Sequence, residues 1–457
     1  MSAYAFGRKG IEAEDQGHRK IAGWRLAALV FLPFAMGYFL SYLFRTINGL
    51  VSASLASELG LNAADLGLIT AAYFLVLAAA QIPVGMMLDR YGPRRVQSAL
   101  LVVAALGAEA FARSSGPLSL LFSRALIGLG VAAALTAGLK AIVLWFPRER
   151  VTLVNGYMVM LGALGAVSAT VPAEAILVKT GWRGLFDILA VATAAAAILI
   201  YCLVPERETR RSSASQAGGL RSILRDVRFW RVAPLSGACI GSAWSLQGLW
   251  ASAWLADVEG MTRAQVVTAL CLTALMLSLG AWMLGALANW ARRKGVGPER
   301  LLALIAVLFM AAQLALVWRL PLPAIAPWLI IAIVGAATVL SFAIISDYFP
   351  TEMAGRANGA LNVVHFGWGF LAQYGIGVLL AQWPQSNGHY PVIAYQVAFG
   401  VNLALQAAAL IWFAAPREQS PRSKEASGGT EIVVADLVAA SGERQALARE
   451  PVGHARW

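Results

Sequence analysis

The chain has 457 residues, of which 59% are hydrophobic and only 13% charged, and its mean hydropathy is +0.67. An ordinary soluble domain is about 45–50% apolar and about 25% charged, so the composition excludes that class and points to the bilayer. The formal net charge of +12 does not indicate nucleic acid, because the arginines fall in short clusters between apolar runs and not along one face.

Residues 1–23 are polar, carry Arg8, Lys9, Arg19 and Lys20, and read as a cytoplasmic N-terminal tail. No small-residue cleavage signal follows the first apolar run, so that run reads as an uncleaved span. A bilayer core needs about 20 apolar residues per helix. Twelve runs meet this: 24–57, 65–88, 97–114, 119–146, 152–177, 184–204, 232–256, 264–290, 299–319, 325–348, 357–382 and 393–415. The first is long enough to project beyond the membrane or to tilt within it. Connections as short as 114–117 and 320–323 imply antiparallel neighbours. With the N-terminus in the cytoplasm, 28 of the 36 basic residues fall on cytoplasmic segments, five on outer ones and three inside spans, which fixes the orientation. The basic linker 205–231 divides the spans six and six, into bundles 24–204 and 232–415. Residues 416–457 form a polar cytoplasmic tail with too little apolar surface to fold, and read as disordered. The expectation is an all-α membrane protein of twelve transmembrane helices in two six-helix bundles related by a pseudo-two-fold axis. Cys202, Cys239 and Cys271 all lie in apolar runs and give neither a disulfide framework nor a metal site.

The halves repeat each other. "NGLVSASLASELG", ending at Gly60, is matched with one insertion by "QGLWASAWLADVEG", ending at Gly260. Gly85-x-x-x-Asp89 returns as Gly285-x-x-x-Asn289, followed by Arg292, Arg293 and Lys294, and "WFPRERVTLVNG" returns as "YFPTEMAGRANG". Three ordered echoes about 200 residues apart mark a duplicated six-helix unit. With the loop Gly85-x-x-x-Asp89-Arg90-x-Gly92-x-Arg94-Arg95 and Arg124-x-x-x-Gly128-x-Gly130 in the fourth span, the chain over 24–415 resembles the major facilitator superfamily. The resemblance implies two bundles with the substrate between them near the midplane.

The arginines of that loop serve the positive-inside rule, which leaves Gly85 and Asp89 to be explained. A carboxylate at the membrane edge needs a positive partner, and the start of the eleventh span lies on the same side with its helix N-terminus. Gly85 permits close helix approach. The resemblance implies a latch closing the cytoplasmic side, so Gly85, Asp89, Arg90, Gly92, Arg94, Arg95 and Arg124 are the gating candidates.

Charges inside spans are rare and functional. Arg45 and Lys140 make the first bundle's cavity positive, which favours an anionic substrate forked by arginine. Asn48, one turn from Arg45, joins them, with Trp244, Gln247 and Asn362 as contacts from the second half. Arg45-x-x-Asn48, "WFPRER" and "GWRGLF" are similar to the anion:cation symporters of the superfamily, which carry sugar acids and other organic anions. Two positions depart from that pattern: Phe44 stands where an acid often precedes the arginine, and Val131 where a glutamate often follows in the fourth span. The remaining proton-coupling candidates are Glu109, Glu174 and His365. The expected function is proton-coupled uptake of a small organic anion by alternating access, by a multi-pass monomer in a bacterial inner membrane without cofactor or metal. The alternatives are an exporter of a drug or siderophore-like metabolite and a transporter-like sensor. An enzyme is not expected, since no His-Glu-x-x-His, Gly-x-Ser-x-Gly or phosphate-cradling loop is present.

Overall fold

The structure is a computed structural model that describes residues 26–206, 217–386 and 388–415. The expected tails, 1–23 and 416–457, lie outside the described residues. The described residues up to Phe413 belong to one compact unit. Its regular structure is helical, apart from an isolated bridge between Ser386 and His389.

Ten described helices are long and apolar enough to cross a membrane. One of them, Ala63–Ala112, is two spans joined at Gly92, whose φ of 79° breaks the helix. A further span is assembled from Val227–Ser245, a π turn over Leu246–Trp250 and Ala251–Asp257, giving the expected twelve. We number them span 1 (27–59), span 2 (63–91), span 3 (93–112), span 4 (Pro117–Trp145), span 5 (148–180), span 6 (182–203), span 7 (227–257), span 8 (Arg263–Arg293), span 9 (Pro298–Val317), span 10 (Ala326–Tyr348), span 11 (Thr351–Leu380) and span 12 (Val392–Ala414). Large apolar side chains such as Leu106, Phe122, Val178, Trp282 and Ile411 are exposed on the outside of the unit. Water would penalise that surface and lipid does not.

Several boundaries differ from the sequence expectation, that of span 11 the most, since it opens at Thr351 and not at 357. Span 1 continues to Leu59, where Gly60 ends it at φ 65°. Span 5 runs through a break at Ala169–Thr170 and stops at Gly181, φ 69°. Span 7 begins at Val227 and not at 232, because the Asp226 carboxylate accepts the Arg228 backbone N–H at 2.8 Å and caps the helix. The linker also holds a helix of its own, Ala217–Arg225.

The duplication recurs in backbone detail. Gly260 ends span 7 at φ 61°, and Gly295 turns the chain between spans 8 and 9 at φ 74°, matching Gly60 and Gly92. Span 2 opens with a capping box of Asn62 and Asp65, and span 8 with one of Thr262 and Gln265. Phe146-Pro147 and Phe349-Pro350 are extended at the same turn of each half. The glycines of Arg124-x-x-x-Gly128-x-Gly130 permit close packing. A Cβ on Gly128 would stand 2.9 Å from the Tyr73 carbonyl oxygen of span 2, and one on Gly130 would stand 2.2 Å from the Ala104 nitrogen of span 3.

At the end that the expected orientation places outside, called the outer end, the halves meet. A Cβ on Gly49 would lie 3.2 Å from the Gly248 oxygen, and one on Gly377 would lie 2.5 Å from the Ala63 oxygen. Arg263 donates to both Glu174 oxygens, at 2.9 and 2.6 Å, and to the Leu50 carbonyl at 2.9 Å. The Ala63 N–H donates to the Tyr390 hydroxyl at 3.0 Å, and Asp257 seats that loop by accepting from the Tyr390 N–H and the Tyr395 hydroxyl. At the inner end, where the basic connections gather, ion pairs stay within one half: Asp89 with Lys140, Arg94 and Arg95 with Glu206, Arg231 with Glu299. Cβ atoms on Gly85, Gly355 and Gly359 would meet nothing within 4 Å. The halves are joined at the outer end, around a cavity of about 280 Å³ bordered by Ser52, Asp257 and Tyr390, and these glycines of the inner end carry no close contact between them.

Candidate functional site

Tyr38, Tyr42 and Arg45 follow one another at helical spacing and share a face of span 1. The Tyr38 and Tyr42 rings meet edge to face with centroids 5.1 Å apart. The Arg45 guanidinium lies over the Tyr42 ring at 3.9 Å and over the Trp244 ring of span 7 at 4.9 Å, so an aromatic from each half holds it by cation–π attraction. Trp244 is fixed in turn, its indole N–H donating to the Gly335 carbonyl at 2.9 Å. No ion pair joins Arg45 to a carboxylate among the described residues.

Arg45 and Trp244 together line two cavities between the halves. One, of about 90 Å³, also has Tyr73, Gln81, Thr136 and Asn362 in its wall. The other, of about 30 Å³, has Gln247, Thr170 and Thr273. Neither wall holds an Asp, Glu, Lys or His, so Arg45 is the single charged lining residue. An aromatic stack of Phe74, Trp244 and Phe366, with centroids 5.2–6.5 Å apart, joins span 2 to spans 7 and 11 beside it. The arrangement offers an arginine fork to an anion and hydroxyl and amide groups to its polar body, against aromatic faces.

Of the residues expected at the substrate, the structure brings together Arg45, Trp244, Gln247 and Asn362. It does not bring Asn48 or Lys140 to them. Asn48 is buried and its amide donates to the Thr70 hydroxyl of span 2 at 2.9 Å, because one helical turn beyond Arg45 the face has rotated toward span 2. Lys140 sits at the inner end, donating to the Asp89 carboxylate at 2.7 Å and to the Leu88 carbonyl at 2.8 Å. Its long stem carries the ammonium to a partner at the polar boundary. Sequence reasoning missed Tyr38, Tyr42, Tyr73 and Gln81. The spacing of the first two to Arg45 was a usable signal; Tyr73 and Gln81 had none.

The gating candidates divide. Arg94 and Arg95 bind Glu206 and Arg94 also donates to the Tyr201 carbonyl, which ties the loop to span 6. Arg90 lies over Tyr91, and Gly92 makes the turn. Gly85 has no helix against it, and Asp89 faces Lys140 instead of the start of span 11. Arg124 is not at the gate: it is wholly buried inside the first half, donates to the Phe44 carbonyl and lies over Tyr73 at 5.0 Å.

The proton-coupling candidates also lie apart. Glu109 pairs with Arg113 at the outer end of span 3. His365 is buried in the second half, its Nε2 2.7 Å from the Ser236 hydroxyl. Glu174 alone of the three joins the two halves, through Arg263. The "GWRGLF" stretch has a structural task at the same end. The Trp182 indole N–H and Arg183 both donate to the Glu58 carboxylate, which ties the start of span 6 to the outer end of span 1. Among the described residues no group of three or more His, Cys, Asp or Glu is placed to hold a metal ion.

Comparison with known proteins agrees with this architecture. The description Major Facilitator Superfamily matches residues 34–373. The chain is 26% identical over 426 residues to the hexuronate transporter of Escherichia coli (strain K12), spanning 86% of this chain and 94% of that protein. It is 27% identical over 325 residues to the probable L-galactonate transporter of the same organism, spanning 66% and 70%. A bacterial homolog of the human lysosomal transporter Spinster, solved inward-facing and unoccupied, superposes with a TM-score of 0.70 at 16% identity, covering 86% of this chain and 97% of that one. A mutant form of the nucleoside transporter NupG superposes at 0.67 with 13% identity, covering 84% and 98%. With twelve spans in two repeated halves around a central cavity and a family match over most of its length, the chain belongs to the major facilitator superfamily and is a membrane transporter.

Proposed function

We propose that the protein is a secondary active carrier of a hydroxylated organic anion of the sugar-acid class, taking it up across the inner membrane with a proton, both termini lying in the cytoplasm. The observation that carries this reading is Arg45: a charge at mid-span, facing the cavities, without a carboxylate partner among the described residues. Burying an arginine at the bilayer centre costs at least about 2.5–3.5 kcal/mol, and a bound carboxylate offsets that cost through a bidentate pair. Tyr73, Gln81, Thr136 and Asn362 supply partners for sugar hydroxyls. The names of the hexuronate and L-galactonate relatives support the substrate class. Proton coupling falls to Glu174, because protonating it removes the ion pair with Arg263 that holds the outer ends together. Uptake of hexuronate and L-galactonate into proteoliposomes, with and without an inward proton gradient, tests the reading. Accumulation that grows with the gradient is expected, and Glu174→Gln should make it independent of the gradient. Hydrophobic dyes moving in place of the acids would identify an exporter and end the proposal.

In the same reading Asp89 latches onto the start of span 11 when the inner end closes, and Lys140 holds it while the inner end is open. The Asp89–Lys140 pair is partly exposed, 60% and 22%, and such pairs contribute about 0.2–1 kcal/mol. Lys140→Met keeps the carboxylate for the latch and removes its competitor. The inner-closed population should rise by up to about fivefold, as read by spin-label distances between the inner ends of spans 4 and 10. An unchanged or reduced inner-closed population would exclude Lys140 from the gate.

A further inference from the structure

The linker helix Ala217–Arg225 lies against the inner ends of spans 7 and 11. Its own Ile223 is buried, and a Cβ on its Gly219 would stand 2.6 Å from Arg356 Nη1 of span 11. The Trp230 indole N–H donates to the Leu224 carbonyl at 2.7 Å and closes the C-terminal end of the helix. On the opposite side Arg221 and Arg225, one turn apart, are exposed, and neither has an ion pair among the described residues. The nearby carboxylate, Asp226, is already engaged by Arg228 at 2.8 Å, so it does not neutralise them. Arg221, Ser222, Arg225 and Asp226 border an open concavity of about 390 Å³. At the same end of the helix two apolar side chains are exposed, Leu224 at 44% and Trp230 at 41%, joined by the indole hydrogen bond to the Leu224 carbonyl.

We propose that this concavity binds the phosphate of an anionic phospholipid in the cytoplasmic leaflet, with Arg221 and Arg225 on the phosphate oxygens and the acyl chains along Leu224 and Trp230. Three features of the surface meet the three parts of such a lipid. Guanidinium groups fork onto phosphate oxygens. A tryptophan at the end of a span sits at headgroup depth. Basic residues just inside the membrane favour anionic over zwitterionic lipid. A free phosphate ion would use the arginines and leave the apolar lip unused.

The test is native mass spectrometry of the full chain released from detergent, titrated with phosphatidylglycerol. R221Q/R225Q should weaken retention about 30-fold, equivalent to about 2 kcal/mol at 1.4 kcal/mol per tenfold, as two arginines near an anionic surface contribute. R292Q/R293Q, an equal loss of charge at the inner end of span 8, should leave retention within about twofold of the unaltered chain. Phosphatidylcholine should be held weakly by all forms, and inorganic phosphate should not displace phosphatidylglycerol. Equal losses in the two double variants, equal binding of the two lipids, or displacement by inorganic phosphate would each overturn the proposal.

Discussion

Arg45→Ala is expected to abolish uptake of sugar acids while the protein reaches the membrane at its usual level. The guanidinium is the single charge in the walls of both central cavities, so no neighbour can take over its role. Truncating one partner of a buried charge pair costs about 2–5 kcal/mol, which is about 30-fold to several thousandfold in affinity. Folding should survive, because the side chain makes no ion pair within the described protein and leaves Tyr42 and Trp244 to close on the gap. Arg45→Lys keeps the charge and loses the fork and the flat face stacked on the two aromatics. We expect KM to rise about 10- to 100-fold with transport still measurable. Equal uptake by the unaltered protein and Arg45→Ala at matched membrane abundance would sink the anion reading.

Gly377→Leu should stop the cycle by a different route. A Cβ there would stand 2.5 Å from the Ala63 carbonyl oxygen, and that oxygen belongs to the first turn of span 2 and cannot swing aside. Overpacking of this kind costs typically about 1–3 kcal/mol. The clash exists only when the outer end is closed, so it shifts the balance about 5- to 150-fold toward the outward-open form. The reporter is a cysteine at Asn362 in the cavity wall, in a background lacking Cys202, Cys239 and Cys271. Gly377→Leu should raise its labelling by an impermeant thiol reagent added outside, and lower uptake. Gly375 meets nothing within 4 Å of an added Cβ, so Gly375→Leu is the control and should change neither. Unchanged labelling in Gly377→Leu would show that the glycine contact does not belong to the outer gate.

The architecture was legible because apolar runs and turn residues are local signals. Gly60, Gly92 and Asn62 punctuate the first half where Gly260, Gly295 and Thr262 punctuate the second. The start of span 7 is hidden because Arg228 and Arg231 interrupt its first apolar residues, Val227, Phe229 and Trp230, and make them read as linker. In the site, Arg45 stood out as a charge within an apolar run, and Trp244, Gln247 and Asn362 as polar or aromatic breaks in theirs. Asn48 was assigned by its spacing to Arg45, but spacing does not say which neighbouring span a face meets, and Thr70 is 22 residues away. The pairing of Lys140 with Asp89, 51 residues apart, depends on how spans 2 and 4 are aligned in height, which no single stretch encodes. Nor does the sequence say which end is open, since the same residues serve both states.

An arginine at mid-membrane without a carboxylate beside it makes the empty carrier electrically unlike the loaded one. Empty, the protein holds an uncompensated positive charge between its halves. Once a monoanion binds, the two charges cancel. A full crossing of one charge at 100 mV is worth about 2.3 kcal/mol, and a rearrangement that shifts the field around Arg45 by a third of the membrane is worth about 0.8 kcal/mol on the same scale. Because the proton taken by Glu174 frees Arg263 from its partner in the loaded form, the transmembrane potential acts on the return of the empty carrier and, in the opposite sense, on the loaded step, and the full cycle moves no net charge. Steady uptake should follow voltage most steeply at saturating substrate, where the empty return limits turnover.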